Sequence, residues 1–377
     1  MKYSTAFPFF PAKDIDEILK QFRDILEGRE MLTMDKNVAA FEKEFGQFVE
    51  AKYAVAMSSC TSGLETCLRA LNIGQQDEVI VPVQTFIATG SCVVRNGSRV
   101  IFCETDDNFL IDFNDMKEKI TARTKAVIMV HFAGLIHPQI DEIYQYLKEN
   151  HIYLIEDAAH AHGAKAGRLF AGNLADMACF SFFSTKNMTT GEGGMITTNN
   201  ERLYQLCNSM RNRGADVWND PNVFSEVGSN YRITEFQAIL GRYQLKRIEE
   251  FLYRRNSVAE TYRSALFPLV EERKIRFQTI PAGFRHAYWR FSVFVQNERI
   301  DLHQLQERLA IRGIPIDFPY TPLLHLQPIF QKLYGIKHGS FPKTEQLATR
   351  HFCLPMHPLL TNDDADEIAE ILKQELQ

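Results

Sequence analysis

The chain has 377 residues, 45% of them hydrophobic and 24% charged, so it has ample material for a large core and is not dominated by disorder. A net charge of −5, with Arg254-Arg255 as the longest basic cluster, excludes the basic surface of a nucleic-acid binder. Seven cysteines, an odd number with no CxxC pair, exclude a disulfide framework and read as free, buried thiols in a reducing compartment.

Residues 1–11 have no charged region followed by an apolar stretch, so no signal peptide is expected. No window of about eighteen apolar residues occurs, so no membrane contact is expected and the cytoplasm is the expected location. Residues 14–27 place Ile15, Ile18, Leu19, Phe22, Ile25 and Leu26 on one helical stripe, stopped at Gly28. A second helix is expected over 37–49. Short apolar runs then alternate with helical stretches. The runs are 54–57, 79–83, 100–103, 126–130, 153–156, 178–183 and 195–198, with helices over 61–71, 86–95 and 139–150. Strands that are apolar throughout and alternate with helices predict an α/β fold with a buried, mainly parallel seven-stranded sheet flanked by helices. A long helix over 234–266 reads as the way out of this large domain. A strand over 288–295 and helices over 302–312 and 364–376 complete the chain, while 313–358 shows weak periodicity. The expected division is 1–249 for the large domain and 250–377 for a smaller α+β domain.

In open α/β sheets ligands gather at the carboxyl ends of strands. Ser58-Ser59-Cys60-Thr61-Ser62-Gly63 follows a strand and opens a helix, whose free N–H groups and hydroxyls suit a phosphate or simply cap the helix. Asp157 ends an apolar strand, where a carboxylate needs a cation or hydrogen-bond donors. A protonated pyridine nitrogen is one such partner. His160 and His162 lack the spacing of the usual zinc helices, so no metal is expected. An aromatic strand delivers Lys186 beside an apolar wall, where an amine loses its proton more easily and becomes a nucleophile. The following Thr190-Gly191-Glu192-Gly193-Gly194 lets backbone approach a ligand closely, or is a plain turn. Phe86 starts a helix where it can stack on a flat ring or pack in the core. Taken singly, each feature has an ordinary structural reading. Together they supply a phosphate cradle, a carboxylate, a nucleophilic lysine and a stacking ring, the contacts that pyridoxal phosphate requires.

These stretches, with Asp77-Glu78-Val79-Ile80-Val81-Pro82, Gly228-Ser229-Asn230-Tyr231-Arg232 and Leu354-Pro355-Met356-His357-Pro358-Leu359, run in collinear order over nearly the whole chain. The sequence resembles the DegT/StrS-type sugar aminotransferases, a branch of the fold-type I pyridoxal-phosphate enzymes. The resemblance implies a Schiff base on Lys186, Asp157 at the pyridine nitrogen, and Phe86 on the ring. It implies that Thr61, Ser62 and Ser181 hold the phosphate, with Cys60 in the same cofactor-binding turn, and that His160 lies near the ring hydroxyl. It also implies a homodimer in which Asn230 reaches the neighbouring subunit's cofactor phosphate. The implied activity is ping-pong transfer of an amino group, from glutamate, to a nucleotide-linked keto-sugar.

Cys60 stands where glycine is common in that family, Arg213 where histidine is frequent, and Pro319-Tyr320 where many members carry His-Tyr. The last two differences fall where substrate contacts are expected. The alternatives are a sugar dehydratase on the same fold, which would typically carry histidine at position 186, an aldolase or desulfurase of fold type I, and a non-catalytic regulatory protein that kept the fold.

Overall fold

The computed structural model describes residues 3–376. Seven strands form the central sheet: β1 (Tyr53–Met57), β2 (Glu78–Pro82), β3 (Arg99–Cys103), β4 (Thr124–Val130), β5 (Tyr153–Asp157), β6 (Met177–Ser181) and β7 (Gly194–Thr198). Their order across the sheet is β1-β7-β6-β5-β4-β2-β3. Neighbours from β6 to β3 pair in parallel, and only β7 runs antiparallel, to both β1 and β6. Val79, Ile80 and Val81, like Ala126 to Met129, are buried on both faces of the sheet, as strands covered by helices on each side must be.

The covering helices are α1 (Ala12–Leu26), α2 (Lys36–Phe48), α3 (Cys60–Ala70), α4 (Ile87–Arg95), α5 (Ile140–Glu149) and α6 (Glu201–Arg211). Helix α3 starts in a reciprocal cap: Ser62 N donates to Ser59 Oγ, and Ser59 N donates to Ser62 Oγ, each at 3.1 Å. The 31-residue α7 (Glu235–Ala265) leaves this body and continues through position 250 without a break. Its buried Glu235 accepts from the backbone N–H groups of Asp35 and Asn37 at 2.8 and 2.7 Å, satisfying the free amino end of α2. Beyond it, β8 (Ile275–Phe277), β9 (Phe291–Val295) and β10 (His351–Leu354) form an antiparallel sheet with its own core, packed by α8 (Leu302–Ile311) and α9 (Asn362–Glu375).

Several expected bounds shift for identifiable reasons. The aromatic run at 178–183 stops being strand at Ser181, because Phe182 O accepts from Thr190 N to close the 182–190 turn. The strand expected from 288 begins at Phe291. Tyr288 is left-handed (φ 46°) and Trp289 N donates to Ala133 O, so both are committed to a loop contact. Weakly periodic 313–358 contains helices Pro328–Tyr334 and Pro342–Ala348, each opened by a proline whose fixed φ suits the first turn. In α1 only Ile18 and Ile25 of the six-residue stripe are buried, while Leu19 and Leu26 are exposed. Two small hairpins, Lys165–Ala166 with Leu169–Phe170 and Ala215–Asp216 with Asp220–Phe224, had no sequence expectation.

Candidate active site

The carboxyl ends of β1, β5 and β6 and the amino end of β7 enclose a cavity of about 380 Å³. Cys60, Thr61, Phe86, Asp157, His160, Ser181 and Lys186 all line it, from five separate segments of the chain. Ser62 and Asn230 do not. Ser62 Oγ donates to Ser59 O at 2.8 Å and is spent on the helix cap. Asn230 is exposed, in a backbone bridge with Asn212.

Asp157 is the last residue of β5, level with Val130 on one side and Cys179 on the other. Burial raises its pKa; the Thr89 hydroxyl, donating to Oδ2 at 2.8 Å, and Ala159 N, donating to Oδ1 at 3.2 Å, pull it back. Among the described residues no cation forms a salt bridge with it. Thr89 is itself held by Thr85, hydroxyl to hydroxyl at 2.7 Å.

Lys186 sits on a turn closed by its own N–H donating to Phe183 O at 3.0 Å. Its Nζ lies 4.2 Å from the Trp289 ring centroid. Burial lowers the amine's pKa to about 8, against the opposing pull of Asp157. Trp289 Nε1 donates to Thr185 O at 3.0 Å, which ties the indole to the peptide preceding the lysine. The His160 ring stacks on Trp289 at 3.8 Å and 10°, and its Nε2 is 2.6 Å from the Tyr320 hydroxyl. Burial pushes His160 well below its usual range and Tyr320 well above, so both rings are neutral.

At the opposite end, Ser59, Cys60 and Thr61 at the start of α3 line the cavity. Gly194 makes this possible. A Cβ there would stand 2.5 Å from Ser59 C and 2.6 Å from Cys60 N, so only glycine lets β7 pass so close. The Cys60 thiol is buried and its pKa is raised by that burial, so it acts as a small neutral filler. Of the two other unusual positions, Pro319 gives its carbonyl to Gln84 Nε2 at 2.9 Å, and Arg213 is exposed with its guanidinium 5.8 Å from the Phe224 ring. Among the described residues no group of three or more His, Cys, Asp or Glu is placed to hold a metal ion, and no helix is long and apolar enough to cross a membrane.

Sequence reasoning missed Thr89, Trp289 and Glu192 as site residues. Glu192 was in view as part of a glycine-rich turn, and a periodic helix gave no reason to single out Thr89. Trp289 is one of only two tryptophans, but it lies about a hundred residues beyond Lys186, and nothing local ties it to that lysine.

The fold and the pairing of a cavity lysine with a strand-end carboxylate are those of a fold-type I pyridoxal-phosphate aminotransferase. The chain belongs to the DegT/DnrJ/EryC1/StrS aminotransferase family, whose model matches residues 12–373. It is 33% identical over 363 residues to the spore coat polysaccharide biosynthesis protein SpsC of Bacillus subtilis, covering 91% of this chain and 90% of that one. It is 32% identical over 345 residues to the GDP-perosamine synthase of Escherichia coli O157:H7, covering 89% of each. The aminotransferase from Psychrobacter cryohalolentis superimposes with a TM-score of 0.91 at 28% identity, covering 99% of this chain and 98% of that one. The protein is a pyridoxal-phosphate-dependent aminotransferase that acts on a sugar. Its residues fit that cofactor. The lining includes a buried carboxylate with no salt bridge among the described residues, a buried amine of lowered pKa, and a helix amino end that only glycine can back.

Proposed function

We propose that the enzyme transfers the amino group of glutamate to a nucleotide-linked keto-sugar by a ping-pong sequence, as a cytoplasmic homodimer with shared sites. The observation that carries this reading is that Lys186 and Asp157 line one cavity, the amine desolvated and the carboxylate in no salt bridge among the described residues. The GDP-perosamine synthase relatives support a nucleotide-linked sugar, and SpsC supports a place in polysaccharide biosynthesis. Exposed apolar residues along and after α1, Leu26 at 74% and Met31 at 69% among them, support a partner subunit. We take 1–249 as the cofactor-binding domain and 250–377 as a second domain that contributes Trp289 and Tyr320 to the cavity wall.

When bound, pyridoxal phosphate supplies the aldehyde that takes up the amino group and the ring that accepts an electron pair from carbon. Lys186 would hold it through its side-chain amine, and that amine is the group placed to move a proton at the reacting carbon. An amine with a pKa of about 8 is a competent base near neutral pH. Asp157, oriented by Thr89, would hold the ring nitrogen in its protonated form, and Phe86 and His160 would flank the ring. Thr61, Ser181 and the first turn of α3 take the phosphate, joined by Asn230 from the neighbouring subunit; Ser62 acts by shaping that turn.

Borohydride reduction of the loaded enzyme, followed by peptide mapping, is expected to place the cofactor on Lys186. With glutamate present, a mass-spectrometric screen of nucleotide keto-sugars is expected to yield an amino-sugar. Lys186→Ala should lose all turnover. Label on another lysine, or an active Lys186→Ala variant, would end this reading.

A further inference from the structure

Arg290 is buried at the start of β9, one residue beyond Trp289. Its guanidinium lies 4.5 Å from the Trp289 ring, the same indole that lies 4.2 Å from Lys186 Nζ, so two cations share one ring. Arg290 donates to Thr5 O at 3.2 Å, and its Nε is 3.0 Å from Asp317 Oδ2. That ion pair is poorly aligned: Arg290 Nε and Asp317 Oδ1 both lack hydrogen-bond partners, although neither atom is open to water. Arg290 thus brings a positive charge to the same ring that the Lys186 amine contacts.

We propose that Arg290 is a positioning residue for Lys186. Its guanidinium, sharing the Trp289 indole, disfavours the protonated amine, and Asp317 sets the strength of that push by partly neutralising Arg290. The proposal rests on Lys186 being the cofactor lysine. Of the groups facing the amine, Asp157 from β5 opposes the push, while Cys60 from α3 and His160 and His162 from the loop after β5 stay neutral through burial. The groups facing Arg290 are Asp317, the neutral His160, Tyr320 and Cys353, and Arg255 from α7, a second cation whose presence makes the local field more positive.

The test is the pH midpoint of Lys186, read on the full chain in two ways. One is the visible absorbance of the cofactor-loaded enzyme; the other is mass-spectrometric acetylation of Lys186 after cofactor removal. Arg290→Met should raise the midpoint and Asp317→Asn should lower it, each by about half a unit to one unit, as charges interact across a partly buried gap. Arg290→Lys, which keeps the charge, should stay near wild type. If Arg290→Met does not fold, Asp317→Asn and Arg290→Lys still decide the matter. A general loosening of structure would move Arg290→Met and Asp317→Asn in the same direction, so opposite signs identify an electrostatic role. Coincident midpoints for Asp317→Asn and wild type, or shifts of one sign in both variants, would overturn the proposal. Borohydride label on a lysine other than 186 would instead fell the functional reading, which keeps the two failures apart.

Discussion

At the scale of single residues, the site combines two groups whose pKa values burial moves in opposite directions, Asp157 upward and Lys186 downward. The lysine carries a stability cost with a definite pH window. Its amine titrates near 8 in the folded, cofactor-free chain and near 10.5 when unfolded, so the unfolded state binds more protons between those values. Stability should therefore rise as pH increases through that window, and the full cost should be present below about pH 8. Lys186→Met is expected to stabilise the cofactor-free protein at pH 7 by about 2 kcal/mol, the shift discounted for water in the cavity. In urea titrations the gap to wild type should close above the unfolded-state pKa.

At the scale of elements, β7 shapes the turn proposed to take the phosphate. Within the central sheet it is the strand that runs antiparallel to its neighbours, inserted between β1 and β6, and its first residue passes against the first turn of α3. Gly194→Ala forces a Cβ onto backbone that cannot yield, so a cost of about 1–3 kcal/mol is expected, as for overpacking elsewhere. The strain falls on the cradle itself. Equilibrium dialysis should show cofactor affinity reduced by about tenfold or more, since 1.4 kcal/mol corresponds to one decade. Undiminished affinity would mean that the turn relaxes without loss. Other elements show how local chemistry is redirected by packing. The stripe of α1 reads as a buried face, yet half of it remains exposed, because α7 covers only the side that carries Ile18 and Ile25.

At the scale of the whole molecule, the cavity is a joint product of segments from 59 to 320, and Asn230 stands outside it in its own subunit. If Asn230 serves the neighbouring site, two inactive variants should rescue each other. Mixing Lys186→Ala with Asn230→Ala and allowing subunits to reassort should restore roughly a quarter of wild-type activity, because half the dimers are mixed and each holds one intact site. Activity no greater than the sum of the separate variants would place Asn230 in its own subunit's chemistry or in none.

The amino-acid sequence by itself determined the sheet, through apolar runs too long in β-formers and too short for helices. It also determined the strand-end position of Asp157, because a charged residue closing an apolar strand is visible without coordinates; Lys186 lies five residues beyond the end of β6, on a turn that the aromatic run concealed. The glycine-rich turn and the serine-rich helix start were legible for the same reason: their chemistry is local. Only the tertiary structure decided that Trp289 and Tyr320 wall the same cavity and that Arg290 backs the indole, since contacts across a hundred residues leave no periodic trace in the chain. It also decided that Ser62 caps a helix. A hydroxyl at such a position can serve either the backbone or a ligand, and only the direction it points, fixed by packing, distinguishes the two.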